Sequence, residues 1–280
     1  DLYKRHAEGC VLAECKPGFA AVVALKCETD FVAKNESFRA LTKEILDAAV
    51  AASAKTLDEV KALKLGDRTV EERITDEIGK TGEKMELGAY ECIAAPSVAA
   101  YEHLGNKLAT IVGLSQEGID AEVGREVAMQ VAAMNPLAVS RETVAQEVID
   151  EEVKVAVEKT KAEQVQKAVE VALKKAGLNP NHFDSEDHIA SNITKGWLTE
   201  EDAEKGRKIM EETAAQKAAN LPEAMIQNIA NGRLNKFFKE NTLMEQEYHR
   251  DAKLTIAQYL DGVQKGLTVV EFKRVNLNQD

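Results

Sequence analysis

The stretch Thr29-Asp30-Phe31-Val32-Ala33 sets a hydroxyl, a carboxylate and an aromatic ring side by side in a short link between a strand pattern and a helix pattern. Two uses of these residues compete. Thr29 or Asp30 can cap the following helix while Phe31 folds into the core as a hydrophobic staple. Alternatively, the ring and the carboxylate stand out on a rigid tip shaped to enter a partner's pocket, as aromatic anchors do at protein interfaces. Gly79-Lys80-Thr81 ends like a phosphate-binding loop. However, position 74 is Ile where the first glycine of such a loop belongs, and no strand precedes it, so it reads as a helix terminus. His6, His103, His182, His188 and His249 are scattered with no i, i+4 pair, and no metal site is expected from them. Cys10, Cys15, Cys27 and Cys92 form no C-x-x-C pair and fall in strand-like alternation, which reads as reduced, small apolar filler. The abundant carboxylates single out no acid/base pair. Nothing here implies a cofactor or bond-making chemistry.

The elements that must position this link follow from periodicity. Residues 10–27 alternate as a hairpin around Lys16-Pro17-Gly18. Phe38, Leu41, Ile45, Leu46 and Ala49 recur at helical spacing, and shorter helices are expected near 57–64 and 69–78. Strand patterns return over 85–93 and 98–114, and a helix follows Asp120 until Asn135-Pro136 stops it. A strand-strand-helix unit thus occurs near 10–52 and again near 85–134. This is either a weak internal duplication or a chance likeness of two Ala-rich helices.

The region from Ser140 to Ala176 contains no Pro or Gly. A 3-4 alternation runs from Val144 through Val148, Val155, Ala162, Val165 and Val169 to Ala176, broken only by Glu151 and Glu158. That is a coiled-coil-like helix of roughly 50 Å. Residues 179–195 make a polar tip, and a helix capped by Thr199 returns to about Asn220. The expected fold is α+β: two small antiparallel-sheet and helix subdomains with a protruding antiparallel helical arm. The expected boundaries are 1–96, then 97–140 with 235–280, and 141–234 for the inserted arm.

The chain has 280 residues, 44% of them hydrophobic, and a net charge of −12. That composition supports a packed core and opposes broad binding to nucleic acid, which needs a basic surface. No apolar run approaches the length of a membrane span. A cytoplasmic protein is expected, with neither membrane nor nucleic acid as a direct partner.

The stretch Leu25-Lys26-Cys27-Glu28-Thr29-Asp30-Phe31-Val32-Ala33-Lys34 resembles the T-D-F-V-A signature of the translation elongation factor Ts family, the nucleotide-exchange factors for elongation factor Tu. Similar residues follow at Ile45-Leu46-Asp47-Ala48-Ala49-Val50, Ile78-Gly79, Tyr101-x-His103, Val127 to Ala133 before Asn135-Pro136, and Gly232-Arg233-Leu234-x-Lys236-Phe237. The resemblance covers most of 8–177 and 221–275. It implies guanine-nucleotide exchange on elongation factor Tu, with GDP release promoted by displacement of the partner's magnesium ion. Thr29, Asp30, Phe31 and Val32 would form the tip that enters beside that ion. Ile78, Gly79 and His103 would make further contacts. Tyr248 and His249 occupy a loop that touches another partner domain in the family. Family members usually begin with a three-helix module that this sequence lacks, and residues 178–220 lengthen the arm. The alternative is a non-catalytic coiled-coil interaction protein, for which the 3-4 seam suggests a homodimer formed through the arm.

Overall fold

Alternation explains the first sheet. β1 (Glu8–Lys16) and β2 (Phe19–Cys27) pair antiparallel from Glu8 opposite Cys27 to Lys16 opposite Phe19. Gly18 supplies the positive φ of 80° that the turn requires. β5 (Glu86–Ala94) adds antiparallel to β2. A second sheet is built the same way. β6 (Ser97–Glu102) and β7 (Leu108–Leu114) form a hairpin, and β10 (Val269–Asn276) adds to β7. The computed structural model describes residues 7–278, and His6 lies outside them.

The two faces of these sheets go to different cores because successive side chains point oppositely. Cys10, Leu12, Phe19, Ala21, Val23 and Leu25 pack under α2 (Glu36–Ala52), where Phe38, Ile45 and Leu46 are fully buried. Val11, Ala13, Ala20, Val22 and Ala24 turn the other way and meet Ala109 and Ile111 of the second sheet. The far face of that sheet, with Ala99, Val112 and Leu114, receives Val127, Ala128 and Val131 of α5 (Ala121–Met134). The result is a helix, sheet, sheet, helix stack, with β2 buried along nearly all its length.

The α+β class with small antiparallel sheets is what forms. The expected second repeat of 85–134 is corrected: β5 belongs to the first sheet, so the second strand-strand-helix unit starts at Ser97. Periodicity alone does not say which neighbour a strand takes. Between α3 (Leu57–Ala62) and α4 (Val70–Thr81) lies a two-residue hairpin, β3 (Lys64–Leu65) with β4 (Arg68–Thr69), too short for a pattern to reveal. Cys10 is buried but Cys15 is exposed, so the filler reading fails for Cys15.

Near the C-terminal end, β8 (Glu247–Tyr248) pairs with β9 (Asp251–Thr255), and α10 (Ile256–Val263) follows. Buried Glu126 accepts a hydrogen bond from Arg250 Nε at 3.0 Å, and His249 Nε2 lies 2.9 Å away. Arg141 clasps Glu245 through two bonds of 2.9 and 2.6 Å. The guanidinium of Arg250 foremost, and that of Arg141, hold these carboxyls below their ordinary value of 4.5. The unfolded chain therefore takes up these protons first as pH falls. The stability they contribute is complete above about 4.5 and is lost as pH drops through the lower folded-state values. Urea midpoints measured between neutral and acid pH should fall on the acid side, and Glu126→Gln should make that fall shallower.

Residues Val144–Phe237 form a separate compact unit. α6 (Gln146–Lys175) packs with α8 (Glu200–Ala219). Between them, a 3-10 turn (Pro180–Phe183) and α7 (Glu186–Thr194) enclose a small core of Val169, Leu173, Leu178, Phe183, Ile189 and Leu198. Gly206 makes room for Phe183, whose ring leaves no space for a Cβ there. α9 (Glu223–Asn241) closes the helical set. The 3-4 seam holds only in part. Val155 is exposed, while Ala156 and Thr160 are buried, and the covered face reaches Val165 and Val169 only in the second half. A helix turning every 3.6 residues drifts off a 3.5-residue seam. The face buried is the one its neighbours cover.

Candidate functional site

The tip is a short helix, α1 (Asp30–Ala33), squeezed between the end of β2 and the start of α2. Thr29 caps it, its Oγ1 accepting from the Val32 amide at 3.4 Å. Asn35 caps α2, its Oδ1 accepting from the Ser37 amide at 2.9 Å. Two caps within six residues force a sharp corner, since each cap needs extended backbone. Ala33 is buried and Val32 packs against the first core, which fixes the corner from below. Phe31, on the outer side, is 85% exposed. The staple reading is therefore overturned for Phe31, although Thr29 does serve as a cap. Asp30 is also exposed, and pairs loosely with Lys34 at 3.6 Å.

A residue with no role in the sequence reading holds this corner. The Glu83 carboxylate, just past α4, accepts from the Glu28 and Thr29 amides at 3.1 and 3.0 Å and from the Thr29 hydroxyl at 2.5 Å. The Lys84 amide donates in return to Glu28 at 3.2 Å. A single Glu in a polar loop leaves no pattern to read. Glu83→Ala removes three charge-assisted bonds and should loosen the tip. The expected result is faster hydrogen exchange at the Glu28 and Thr29 amides with a modestly lowered melting temperature, since each such bond contributes about 1.5–3 kcal/mol at most and these are partly exposed.

Ile78 and Gly79 lie in the last turn of α4, which Gly82 ends with φ of 73°. Ile78 rests against the first core. Gly79 is exposed, and a Cβ there would meet nothing within 4 Å, so the fold itself does not require glycine at this place. Its bareness is available to something approaching from outside. His103 begins the turn between β6 and β7, with Nδ1 3.0 Å from the Tyr101 hydroxyl. Beside it Leu104 is 95% exposed, a second large apolar side chain that the sequence reading did not single out. The signal was an apolar residue in the turn His103-Leu104-Gly105-Asn106, where no amphipathic pattern could bury it.

The structure ties these separate segments to the first turn of α2. Ser37 Oγ donates to the buried carboxylate of Glu77 on α4 at 2.6 Å. Arg39 bonds the Asn106 side chain. The Asn106 carbonyl accepts from the Val11 amide at 2.8 Å, and Glu102 accepts from the Ala13 amide at 3.0 Å. Thr29 to Val32, the end of α4 and the turn at His103 are thus anchored around one helix start. Tyr248 and His249 do not join them. Tyr248 is buried and stacks on Tyr259 at 4.1 Å, and His249 is engaged with Glu126 and Gln130.

This site presents two exposed apolar side chains, a carboxylate and an imidazole on a firmly braced corner. Among the described residues, no group of three or more His, Cys, Asp or Glu is placed to hold a metal ion, and no helix is long and apolar enough to cross a membrane. Braced and aromatic, the corner carries its large apolar side chains in the open. The family model for Elongation factor TS matches residues 28–177 and 155–279. Elongation factor Ts of Bacteroides fragilis is 54% identical over 275 residues, covering 98% of this chain and 83% of that protein. The Bacteroides thetaiotaomicron protein of the same name is 53% identical with the same coverage. That of Porphyromonas gingivalis is 44% identical, covering 98% of this chain and 80% of the relative. This chain belongs to the elongation factor Ts family of translation factors.

Proposed function

We propose that this chain is the guanine-nucleotide exchange factor of elongation factor Tu, and that it expels GDP by driving its tip in beside the partner's magnesium ion. The exposure of Phe31 on a corner locked by Glu83 carries the reading. A translational GTPase holds GDP through backbone amides around the phosphates and a magnesium ion bridging phosphate and protein oxygens. Phe31 wedges among side chains that support the metal site, and Asp30 adds polar contacts. Once the magnesium is displaced, the diphosphate loses its strongest counter-charge. Ile78, bare Gly79, His103 and Leu104 extend the same contact, so the tip enters in one orientation.

No bond is made or broken in this scheme. The factor binds the nucleotide-free partner more tightly than the GDP form, and reciprocity requires GDP to bind more weakly when the factor is present. A thousandfold faster release asks for a barrier lower by only about 4 kcal/mol. Residues 1–96 carry the wedge, and 97–140 with 235–280 carry the His103 turn. Binding energy from any contact that the inserted helices of 141–234 make with the partner would support the distortion. Such a factor works in the cytoplasm with its GTPase.

The test is release of fluorescent GDP from purified elongation factor Tu on adding this chain. Acceleration that disappears in Asp30→Ala/Phe31→Ala supports the reading. Equal acceleration by that double variant would place the activity elsewhere.

A further inference from the structure

The turn that carries His103 and Leu104 is the tip of a hairpin, and such tips are ordinarily the loosest part of a sheet. Leu104 is 95% exposed and contributes no packing to hold it. Within the turn, the Asn106 amide donates to the His103 carbonyl at 3.0 Å, and the His103 amide donates to the Leu108 carbonyl at 2.9 Å. Two further bonds of Asn106 leave the hairpin. Its carbonyl accepts from the Val11 amide of β1, and its side-chain Oδ1 accepts from the Arg39 guanidinium of α2. One residue thus ties the turn to a neighbouring strand through its backbone, and to the helix that follows the Phe31 corner through its side chain.

Asn106 holds a φ of 54°. Glycine meets that conformation at no steric cost, and asparagine is one of the few other residues that tolerate it. What asparagine adds is the carboxamide that Arg39 engages. Among the described residues, Arg39 makes no ion pair, in a chain with 48 Asp and Glu. Its guanidinium is directed at a neutral amide instead, where its planar fork gives direction more than charge. Arg39 lies on the surface. A single exposed bond of this kind adds little to folding, so its consequence lies in where it holds the turn.

We propose that Arg39 and Asn106 are a positioning pair for nucleotide exchange. They hold the His103–Leu104 turn at a fixed place relative to Phe31, so that both contacts meet the partner GTPase together. The inference rests on the exchange reading above. Phe31 and Arg39 stand on either side of the Asn35 cap, on a corner that Glu83 locks. With wedge and turn in one frame, docking needs no alignment of one against the other. A turn free to swing must be ordered on docking, which consumes binding energy that otherwise drives the distortion.

Stopped-flow release of fluorescent GDP from purified elongation factor Tu, with melting curves beside it, tests the pair. Arg39→Ala should lower the efficiency of release about three- to tenfold, and so should Asn106→Gly, which keeps the left-handed turn but deletes the carboxamide. Melting temperatures should stay within about 1–2 °C of the original, as for surface substitutions. Both changes together should cost no more than either alone, because each removes the same link. In a His103→Ala/Leu104→Ala background, Arg39→Ala should have no further effect, since the turn no longer carries a contact to position. Arg39→Lys/Asn106→Asp rebuilds the link as an ion pair, with an aspartate that also tolerates the left-handed region, and should recover most of the loss. Additive losses from the two single variants overturn the proposal. So does an Arg39→Ala loss that persists in the His103→Ala/Leu104→Ala background, which would mean that Arg39 touches the partner itself. Full efficiency in both single variants overturns it as well. These outcomes leave the exchange reading standing as long as the unsubstituted chain accelerates release. If that chain does not, the exchange reading falls and the positioning role falls with it.

Discussion

Phe31→Ala should leave the protein as stable as before and nearly abolish its acceleration of GDP release. The side chain is 85% exposed, so its removal opens no cavity and takes little packing from the folded state. Val32 and Ala33 still seat the corner, and Glu83 still holds the Glu28 and Thr29 amides. The melting temperature should therefore shift by no more than about 1–2 °C, as for a surface substitution. In the proposed docking, the partner loses an aromatic anchor that it alone would bury. Anchors of this kind cost about 2–4 kcal/mol when truncated, which is roughly 30- to 1000-fold in rate if the contact is made in the step that releases the nucleotide. Stopped-flow release of fluorescent GDP beside a melting curve checks both halves. A large drop in melting temperature would mean that the ring is a core residue. Unchanged release would mean that the corner is not the wedge.

The reverse pattern is expected seven residues along. Phe38 is fully buried between α2 and the first sheet, among Leu41, Ile45 and the inward residues of β1 and β2. Phe38→Ala removes the ring and leaves a cavity that the surrounding strands cannot close, at a cost of about 3–5 kcal/mol. That is a large part of the total for a domain of this kind. Chemical denaturation should show a lowered midpoint with little change in slope. Below the new melting temperature, activity per folded molecule should stay within a few-fold of the original, because Phe38 does not reach the surface. The corner rests on α2, so some loss is expected, but far less than for Phe31→Ala. The two phenylalanines thus separate docking from folding in one experiment.

Much of this was legible in the residues. Alternation placed the hairpin of β1 and β2 to within two residues, and the run of Phe38, Leu41, Ile45 and Ala49 placed α2. Asp120 and Asn135 marked both ends of α5, since a cap and a left-handed residue are local demands. Other features were not legible, for one shared reason. The partner of β5, the drift of the buried face along α6 and the exposure of Cys15 all depend on which surface lies opposite, and a sequence pattern shows only that a face is apolar.

The same division runs through the site. The sequence by itself determined that Thr29 to Ala33 would form a capped link between strand and helix, and its T-D-F-V-A motif pointed to the family. It could not decide whether Phe31 turns inward or outward. A phenylalanine beside a cap serves equally well as staple or probe, and the choice depends on whether core volume remains to be filled. Tertiary packing made that choice by giving the space under α2 to Phe38 and seating Val32 and Ala33 at its edge. It also brought Glu83, distant in sequence, onto the Thr29 corner and tied the His103 turn to α2 through Arg39 and Asn106. Local chemistry sets caps, turns and periodicity because those interactions reach only a few residues along the chain. Exposure and convergence are settled by what the rest of the chain has already covered.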